Sequence, residues 1–146
     1  KKIEVLPTSQ LGLEDKYYQK EPIDIPKAPK SSRKSVYFGE IYGTRSGDKG
    51  GCANLGVWAK SNMAYSFLYE FLTVKKLKEL LPDIEKYDID RYELPNIKSL
   101  NFYIHDILQD GISSNNRKDG QAKSLGEYLG SKLVDVPDEI LNGKII

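Results

Sequence analysis

A short segment rich in glycine and charge is the part of this sequence best suited to chemistry. It consists of Arg45-Ser46-Gly47-Asp48-Lys49-Gly50-Gly51 and follows a run of aromatic and branched residues. Glycines allow left-handed backbone angles and a close approach of the main chain to a ligand. Successive N–H groups in such turns can form a concave anion site, to which Arg45 and Lys49 would add charge-assisted donors. This pattern predicts a loop over residues 43–53 that receives an anionic group.

The same residue types also fit a purely structural connection between two strands. In that alternative, Arg45, Asp48 and Lys49 would bond to one another or to the backbone, as the polar residues of tight turns commonly do. The segment is not a nucleotide P-loop, because Lys49 precedes Gly50 and no Gly-Lys-Ser/Thr follows at a helix start. The chain also lacks a Gly-x-Gly-x-x-Gly pattern, so we expect no cofactor.

Cys52 and His105 are the only cysteine and the only histidine of the chain. To act as a nucleophile, Cys52 would need a lowered pKa and His105 as its base; the alternative is a small buried side chain. His105 is predicted on an open strand face beside Asn101 and Tyr103, where it could meet a ligand, another subunit or only solvent. One histidine and one cysteine cannot form a typical closed zinc site, so we expect no metal.

The overall composition narrows the class of partner. The chain has 22 Lys and Arg against 21 Asp and Glu, a formal net charge of +1, whereas proteins that bind phosphate backbones usually have a clear basic excess. We therefore expect no nucleic acid as the main partner. No apolar run is long enough for a transmembrane helix, and the lone cysteine fits a reducing, cytoplasmic compartment. Because the first residue is not Met, we expect a piece of a longer protein.

Residues 1–35 differ in composition from the rest of the chain. They contain Pro7, Pro22, Pro26 and Pro29, and each proline favours extended backbone at the residue before it. We therefore predict an extended linker or arm over residues 1–35, from a preceding domain, and one compact domain over residues 36–146.

Hydrophobic periodicity predicts the elements that must position the glycine loop. We expect strands at residues 36–42, 54–59, 90–94 and 100–108, and helices capped by Ser61, Thr73 and Asp119, the last helix reaching about Leu133. In the last helix, Gly126 and Gly130 would allow a close approach to a sheet. The order strand, strand, helix, strand, strand, helix predicts an α+β fold with a mostly antiparallel sheet and helices packed on one face.

Three separated motifs occur in a fixed order between residues 36 and 137. They are Thr44–Val57, then Arg91–Ile97 with Leu100–His105, and finally Gly111-Ile112 with Gln121–Gly126. Together they resemble the small C-terminal domain of the acyclic terpene utilisation (AtuA) family. The resemblance implies a ferredoxin-like fold, a larger AtuA-type domain in the same or a neighbouring chain, and a context of acyclic terpenoid breakdown through CoA thioesters.

The resemblance strengthens the prediction that the glycine loop is functional, since the motif stands in its expected context. Gly51 and Cys52 depart from the family, which commonly has a carboxylate and a hydroxyl there, so a mechanism that needs either group loses support. The candidate ligand-binding residues are Arg45, Ser46, Gly47, Asp48, Lys49, Gly50, Asn54, Asn96, Asn101 and His105.

Two functions follow from these observations. The first is an accessory domain of an AtuA-family protein, which packs on the larger domain or forms a homo-oligomer. The second is a binding or catalytic site for an anionic small molecule, such as a CoA thioester or a carboxylate, at residues 44–54. A third alternative, RNA bound on a ferredoxin-like sheet, would use Tyr37, Trp58 and Tyr103 for stacking, but the charge balance disfavours it.

Overall fold

The computed structural model describes residues 24–108 and 124–143, and two strands with strictly alternating apolar residues form its centre. The alternation belongs to β3 (Cys52–Trp58) and β5 (Ser99–Ile104), which pair in antiparallel register with Leu55 opposite Phe102. Because successive side chains of a strand point to opposite faces, one face of this pair is apolar. Its buried residues are Ala53, Leu55, Val57, Leu100, Phe102 and Ile104.

One further strand on each side completes a four-stranded antiparallel sheet. β2 (Gly43–Lys49) pairs with β3, and β4 (Ile89–Leu94) pairs with β5, which gives the order β2-β3-β5-β4. β3 and β4 therefore run in the same direction with β5 between them, the split strand–helix–strand arrangement of ferredoxin-like folds. The predicted α+β, ferredoxin-like fold with a mostly antiparallel sheet is confirmed.

Two capped helices connect β3 to β4. In α2 (Asn62–Phe71), the Ser61 hydroxyl accepts a hydrogen bond from the Ala64 N–H at 3.1 Å. In α3 (Val74–Leu80), the Thr73 hydroxyl accepts one from the Lys76 N–H, also at 3.1 Å. Both predicted N-caps are confirmed, because each hydroxyl satisfies one of the N–H groups that a first helical turn leaves unpaired.

The helix α4 (Ser124–Gly130) packs closely on β2. The Gly126 N–H donates to the Ser46 hydroxyl at 2.9 Å, and the Gly126 carbonyl accepts from the Thr44 hydroxyl at 2.8 Å. A Cβ on Gly126 would lie 3.2 Å from Thr44 Oγ1, so the close approach depends on glycine. The predicted last helix was too long: its described part ends at Gly130, and its predicted cap, Asp119, lies outside the described residues.

The helices α2 and α4 lie on the same side of the four-stranded sheet. Ser46, which contacts α4, is directly opposite Leu55 and therefore shares the apolar face. Arg91 is opposite Phe102, and its Nη2 donates to the Tyr69 carbonyl of α2 at 2.7 Å. The predicted packing of helices on one face is thus confirmed for the described part of the chain.

A separate two-stranded ribbon joins β1 (Arg33–Tyr37) to β6 (Leu133–Pro137), and short helices α1 (Phe38–Ile41) and α5 (Asp138–Asn142) follow these strands. The predicted strand over residues 36–42 was wrong, because Phe38 and Ile41 are both buried at helical spacing within α1. Leu133 begins β6 and is exposed, rather than ending a helix. β1 also begins inside the predicted arm, and the domain division at residue 35 stays a prediction.

The loop predicted over residues 43–53 was also wrong in most of its length. Residues Gly43–Lys49 form a strand, and only Gly50 and Gly51 make the turn to Cys52. Gly50 has φ 65°, the left-handed conformation that tight hairpin turns require. Glycines and polar residues suggested a loop, but ladder pairing with β3 and the bonds from α4 hold this segment extended.

Within residues 24–108 and 124–143, no helix is long and apolar enough to cross a membrane.

Candidate functional site

The face of the four-stranded sheet that points away from α2 and α4 carries most of the predicted site residues. Its side chains alternate with those of the buried face, and the strand register defines them. We call this surface the open face; it comprises Gly43, Arg45, Gly47 and Lys49 of β2, Cys52, Asn54, Gly56 and Trp58 of β3, Ser99, Asn101 and Tyr103 of β5, and Asp90, Tyr92 and Leu94 of β4.

Near the middle of the open face, Gly56 contributes no side chain to the surface. Arg45 and Asn101 are the residues directly opposite Gly56 on the two neighbouring strands, while Asn54 and Trp58 precede and follow it on the same face of β3. A Cβ on Gly56 would make only ordinary van der Waals contacts, at 3.6 Å from the Arg45 carbonyl oxygen and 3.9 Å from Asn101 Oδ1, so close packing does not require a glycine there. We call these five residues the Gly56 bay.

The polar walls of the Gly56 bay come from two asparagines and one arginine. Asn54 Nδ2 donates to Asn101 Oδ1 at 3.4 Å, which joins the two amides across the β3–β5 pair. Both asparagines are half-buried, whereas Arg45 is exposed. Among the described residues, neither Arg45 nor Lys49 has an ion-pair partner. In the described residues, therefore, the charged side chains of this hairpin do not form ion pairs with one another.

The anion site predicted from successive glycine N–H groups is not formed in β2. Neighbouring N–H groups of a strand point in opposite directions, and β2 pairs with β3 along its whole length from Gly43 to Lys49. Within β2, anion binding would therefore rely on side chains of the open face, while an anion site formed by the amides of the Gly50-Gly51 turn stays a prediction.

The hairpin end of the open face holds a cluster of titratable groups. His105 Nε2 lies 2.8 Å from Asp90 Oδ2, and the Tyr103 and His105 rings meet edge to face at 5.0 Å. A hydrogen bond with Cys52, assisted by burial, raises the pKa of Tyr103. Continued by one pair beyond Ala53 and Ile104, the strand register places Cys52 across from His105. Among the described residues, no group of three or more His, Cys, Asp or Glu could hold a metal ion.

The structure divides the ten predicted site residues into separate groups. Arg45, Gly47, Lys49, Asn54 and Asn101 share the open face, with His105 beside Tyr103 at its hairpin end. Ser46 and Asp48 point to the helix side, and Gly50 lies in the turn. Asn96 is exposed in the 3-10 turn Pro95–Ile97 between β4 and β5, outside the sheet. The proposed binding role of each of these residues stays a prediction.

Sequence reasoning missed Gly56 and Trp58 as parts of the site. They follow Asn54 by two and four residues, so strand alternation alone placed them on its face. Their position beside Arg45 and Asn101 depends on the register of three strands, which no local pattern in the sequence specifies.

The comparison with known families agrees with the fold. A family model described as the AtuA ferredoxin-like domain matches residues 37–135, which covers the whole four-stranded sheet. The chain belongs to the AtuA ferredoxin-like domain family. Domains of this family are parts of larger AtuA proteins. No curated protein and no solved structure gives a significant match to this AtuA ferredoxin-like chain.

Proposed function

We propose that this AtuA ferredoxin-like domain is an accessory interaction domain that docks its open face onto a larger AtuA-type domain of the same or a neighbouring chain. The observation that supports the proposal is a group of exposed apolar residues at one end of that face. This apolar strip consists of Trp58, Tyr92, Leu94 and Ile97, whose exposed fractions are 41%, 51%, 39% and 65%.

The apolar strip is continuous across three elements. Trp58 and Leu94 are both directly opposite Ser99, and Tyr92 is the next residue of β4 on the same face. Ile97 follows in the turn between β4 and β5. Contiguous exposed apolar side chains on a soluble domain mark interaction surfaces, and Trp and Tyr are enriched among the residues that carry binding energy there.

Trp58 is also held in a defined position by its neighbour across the hairpin. A Cβ on Gly43 would lie 2.0 to 2.5 Å from three atoms of the indole, so the ring lies directly over the bare backbone of Gly43. The indole therefore extends the apolar strip to the edge strand β2 as an ordered surface. A preorganised aromatic anchor costs less side-chain entropy when a partner binds.

The choice of partner rests on the family. Because AtuA ferredoxin-like domains are parts of larger AtuA proteins, the larger AtuA-type domain is the surface most regularly available to the open face. The proposal includes the context implied by the sequence resemblance, an accessory role in cytoplasmic acyclic terpenoid or acyl-CoA metabolism.

Replacing both Tyr92 and Leu94 by serine is expected to weaken binding to a separately produced larger AtuA-type domain by at least tenfold. Each substitution removes an exposed apolar anchor, worth about 1–2 kcal/mol when it is buried at an interface. The matched control replaces Tyr37 and Leu133 by serine, because this pair is directly opposed on the ribbon and exposed by 53% and 59%. Calorimetric titration would compare the two double variants with the wild type.

The docking proposal is contradicted if the control double variant loses as much affinity as the strip variant, or if the wild-type chain shows no affinity for the larger domain. A homo-oligomer that the Tyr92/Leu94 variant dissociates, observed by light scattering without the larger domain, would assign the apolar strip to a second copy and also contradict the proposal.

A second candidate function is the binding of an anionic small molecule by residues 44–54. It is supported by Arg45 and Lys49, which have no ion-pair partner among the described residues. Exposed cations beside half-buried amides suit a carboxylate or a CoA thioester. Calorimetry with CoA thioesters and simple carboxylates, on the wild type and an Arg45→Ala, Lys49→Ala double variant, tests this function. Equal binding by both proteins would rule it out.

A further inference from the structure

We propose that the Gly56 bay binds the carboxylate of a small organic acid, whose apolar part lies against Trp58. This inference rests on the second candidate function and narrows it from a whole hairpin to one position on the open face. Three features of the bay support it: the open floor, the set of hydrogen-bond donors, and the aromatic wall.

The floor of the bay is the backbone of Gly56, which carries no side chain. Neighbouring strands are spaced by roughly 4.8 Å, so the Cα atoms of Arg45 and Asn101 lie on the order of 10 Å apart on either side of Gly56. A side chain at position 56 would fill this gap, yet a Cβ there meets nothing nearer than 3.6 Å. The glycine therefore leaves the space of one side chain unfilled, although the packing of the fold would accept a Cβ at this position.

The donors around this floor select an oxyanion. The bond from Asn54 Nδ2 to Asn101 Oδ1 leaves Asn101 Nδ2 available on the open face, with no hydrogen-bond partner among the described residues. Arg45, directly opposite Gly56 on β2, carries a planar guanidinium, which suits paired bonds with a carboxylate. The carboxylate of Asp90, the nearest acid of the open face on β4, is engaged by His105. An amine at the same place would meet the positive charge of Arg45.

The aromatic wall distinguishes an organic acid from an inorganic anion. Two neighbours of Trp58 on this face carry no side chain. Gly43 lies beneath the indole, and Gly56 is the adjacent residue of β3 on the same face. Tyr92, directly opposite Asn101, adds a second exposed ring at the other side of that asparagine. An apolar chain attached to the bound carboxylate would cover part of this aromatic surface, which inorganic phosphate cannot do.

The test uses Trp58 as its own reporter, because it is the only tryptophan of the chain. Hexanoate, hexylamine and inorganic phosphate are titrated into the full chain while tryptophan emission is recorded. Hexanoate is expected to bind with saturation, phosphate at least fivefold more weakly, and hexylamine not at all. Gly56→Val and Arg45→Gln are each expected to weaken hexanoate binding at least tenfold.

Two controls make the matched changes away from the open face. Gly143→Ala adds a Cβ that meets no atom within 4 Å, at the end of α5. Lys34→Gln removes one positive charge from an exposed position of β1. Both are expected to bind hexanoate within twofold of the wild type. Circular dichroism checks that Gly56→Val folds, and Gly56→Ala replaces it if it does not.

The outcomes separate this inference from the function on which it rests. Saturable hexanoate binding that Gly56→Val leaves unchanged would overturn the bay while preserving an anion site elsewhere on the hairpin. The absence of binding by hexanoate and by CoA thioesters would overturn both. Equal affinity for hexanoate and phosphate would contradict the contact with Trp58, and equal affinity for hexylamine would contradict the role of Arg45.

Discussion

Phe102→Ala is expected to lower the free energy of unfolding by about 3–5 kcal/mol, because it removes a large side chain from the middle of the core. Phe102 is fully buried on a central strand, directly between Leu55 of β3 and Arg91 of β4. The structure around such a cavity relaxes only partially, so the lost contacts are not recovered. Urea denaturation followed by circular dichroism would measure the loss.

The neighbouring residue gives the matched control for Phe102. Tyr103 is a similarly large ring one position away, but it lies on the open face and is only half-buried. We expect Tyr103→Ala to cost less than half as much as Phe102→Ala, since fewer contacts are lost and water can fill the space. An equal loss for the two variants would show that the open face is covered in the folded protein, and would contradict its proposed role as a docking surface.

Gly126→Val is expected to destabilise the fold by about 2–4 kcal/mol, through overpacking and the loss of two hydrogen bonds. The new Cβ would lie 3.2 Å from Thr44 Oγ1 and 3.4 Å from the Arg45 backbone nitrogen, before the two valine methyl groups are added. The helix α4 must then move away from β2 and break the bonds that join Gly126 to Thr44 and Ser46. Thermal and urea denaturation would measure the effect.

Gly130→Ala is the control for Gly126→Val. Gly130 ends the same helix, but a Cβ there would make only ordinary contacts, at 3.6 Å and 3.9 Å, with the backbone of Gly39. We expect a change of less than about 1 kcal/mol for this variant. If Gly126→Val were tolerated as well as Gly130→Ala, the close packing of α4 on β2 would not contribute to stability as we infer.

The elements that the sequence predicted well are those whose local pattern agrees with their environment. In β5, Leu100, Phe102 and Ile104 alternate with polar residues, and burial of one face follows directly. Ser61 and Thr73 precede apolar residues at helical spacing, and their hydroxyls cap the expected helices. Such segments need no information from distant parts of the chain.

The elements that the sequence did not predict depend on contacts between distant residues. β2 contains two glycines and no large apolar side chain, and its extended conformation depends on pairing with β3 and on bonds from Gly126, some 80 residues away. α1 was hidden in a run of aromatic and branched residues that suits a strand equally well. In both cases, tertiary packing outweighs local propensity.

The candidate site shows the same limit. Residue type alone was enough to identify Arg45, Asn54 and Asn101 as candidate binding groups, because their side chains carry a charge or amide hydrogen-bond donors. The sequence did not show that these three surround Gly56, since that arrangement needs the register of β2 with β3 and of β3 with β5. A shift by one residue in either pairing would turn one member of the bay to the opposite face.

The ribbon of β1 and β6 has a consequence for the order of folding. The Ser35 hydroxyl bonds to the Asp135 carboxylate across 100 positions of the chain, whereas the β2–β3 hairpin closes through two glycines. Non-local pairings of this kind raise contact order and form slowly, because loop entropy is lost before any contact compensates for it. We infer that β1 and β6 pair only after the four-stranded sheet has formed and brought them together. A paired ribbon would therefore indicate that the whole domain has folded.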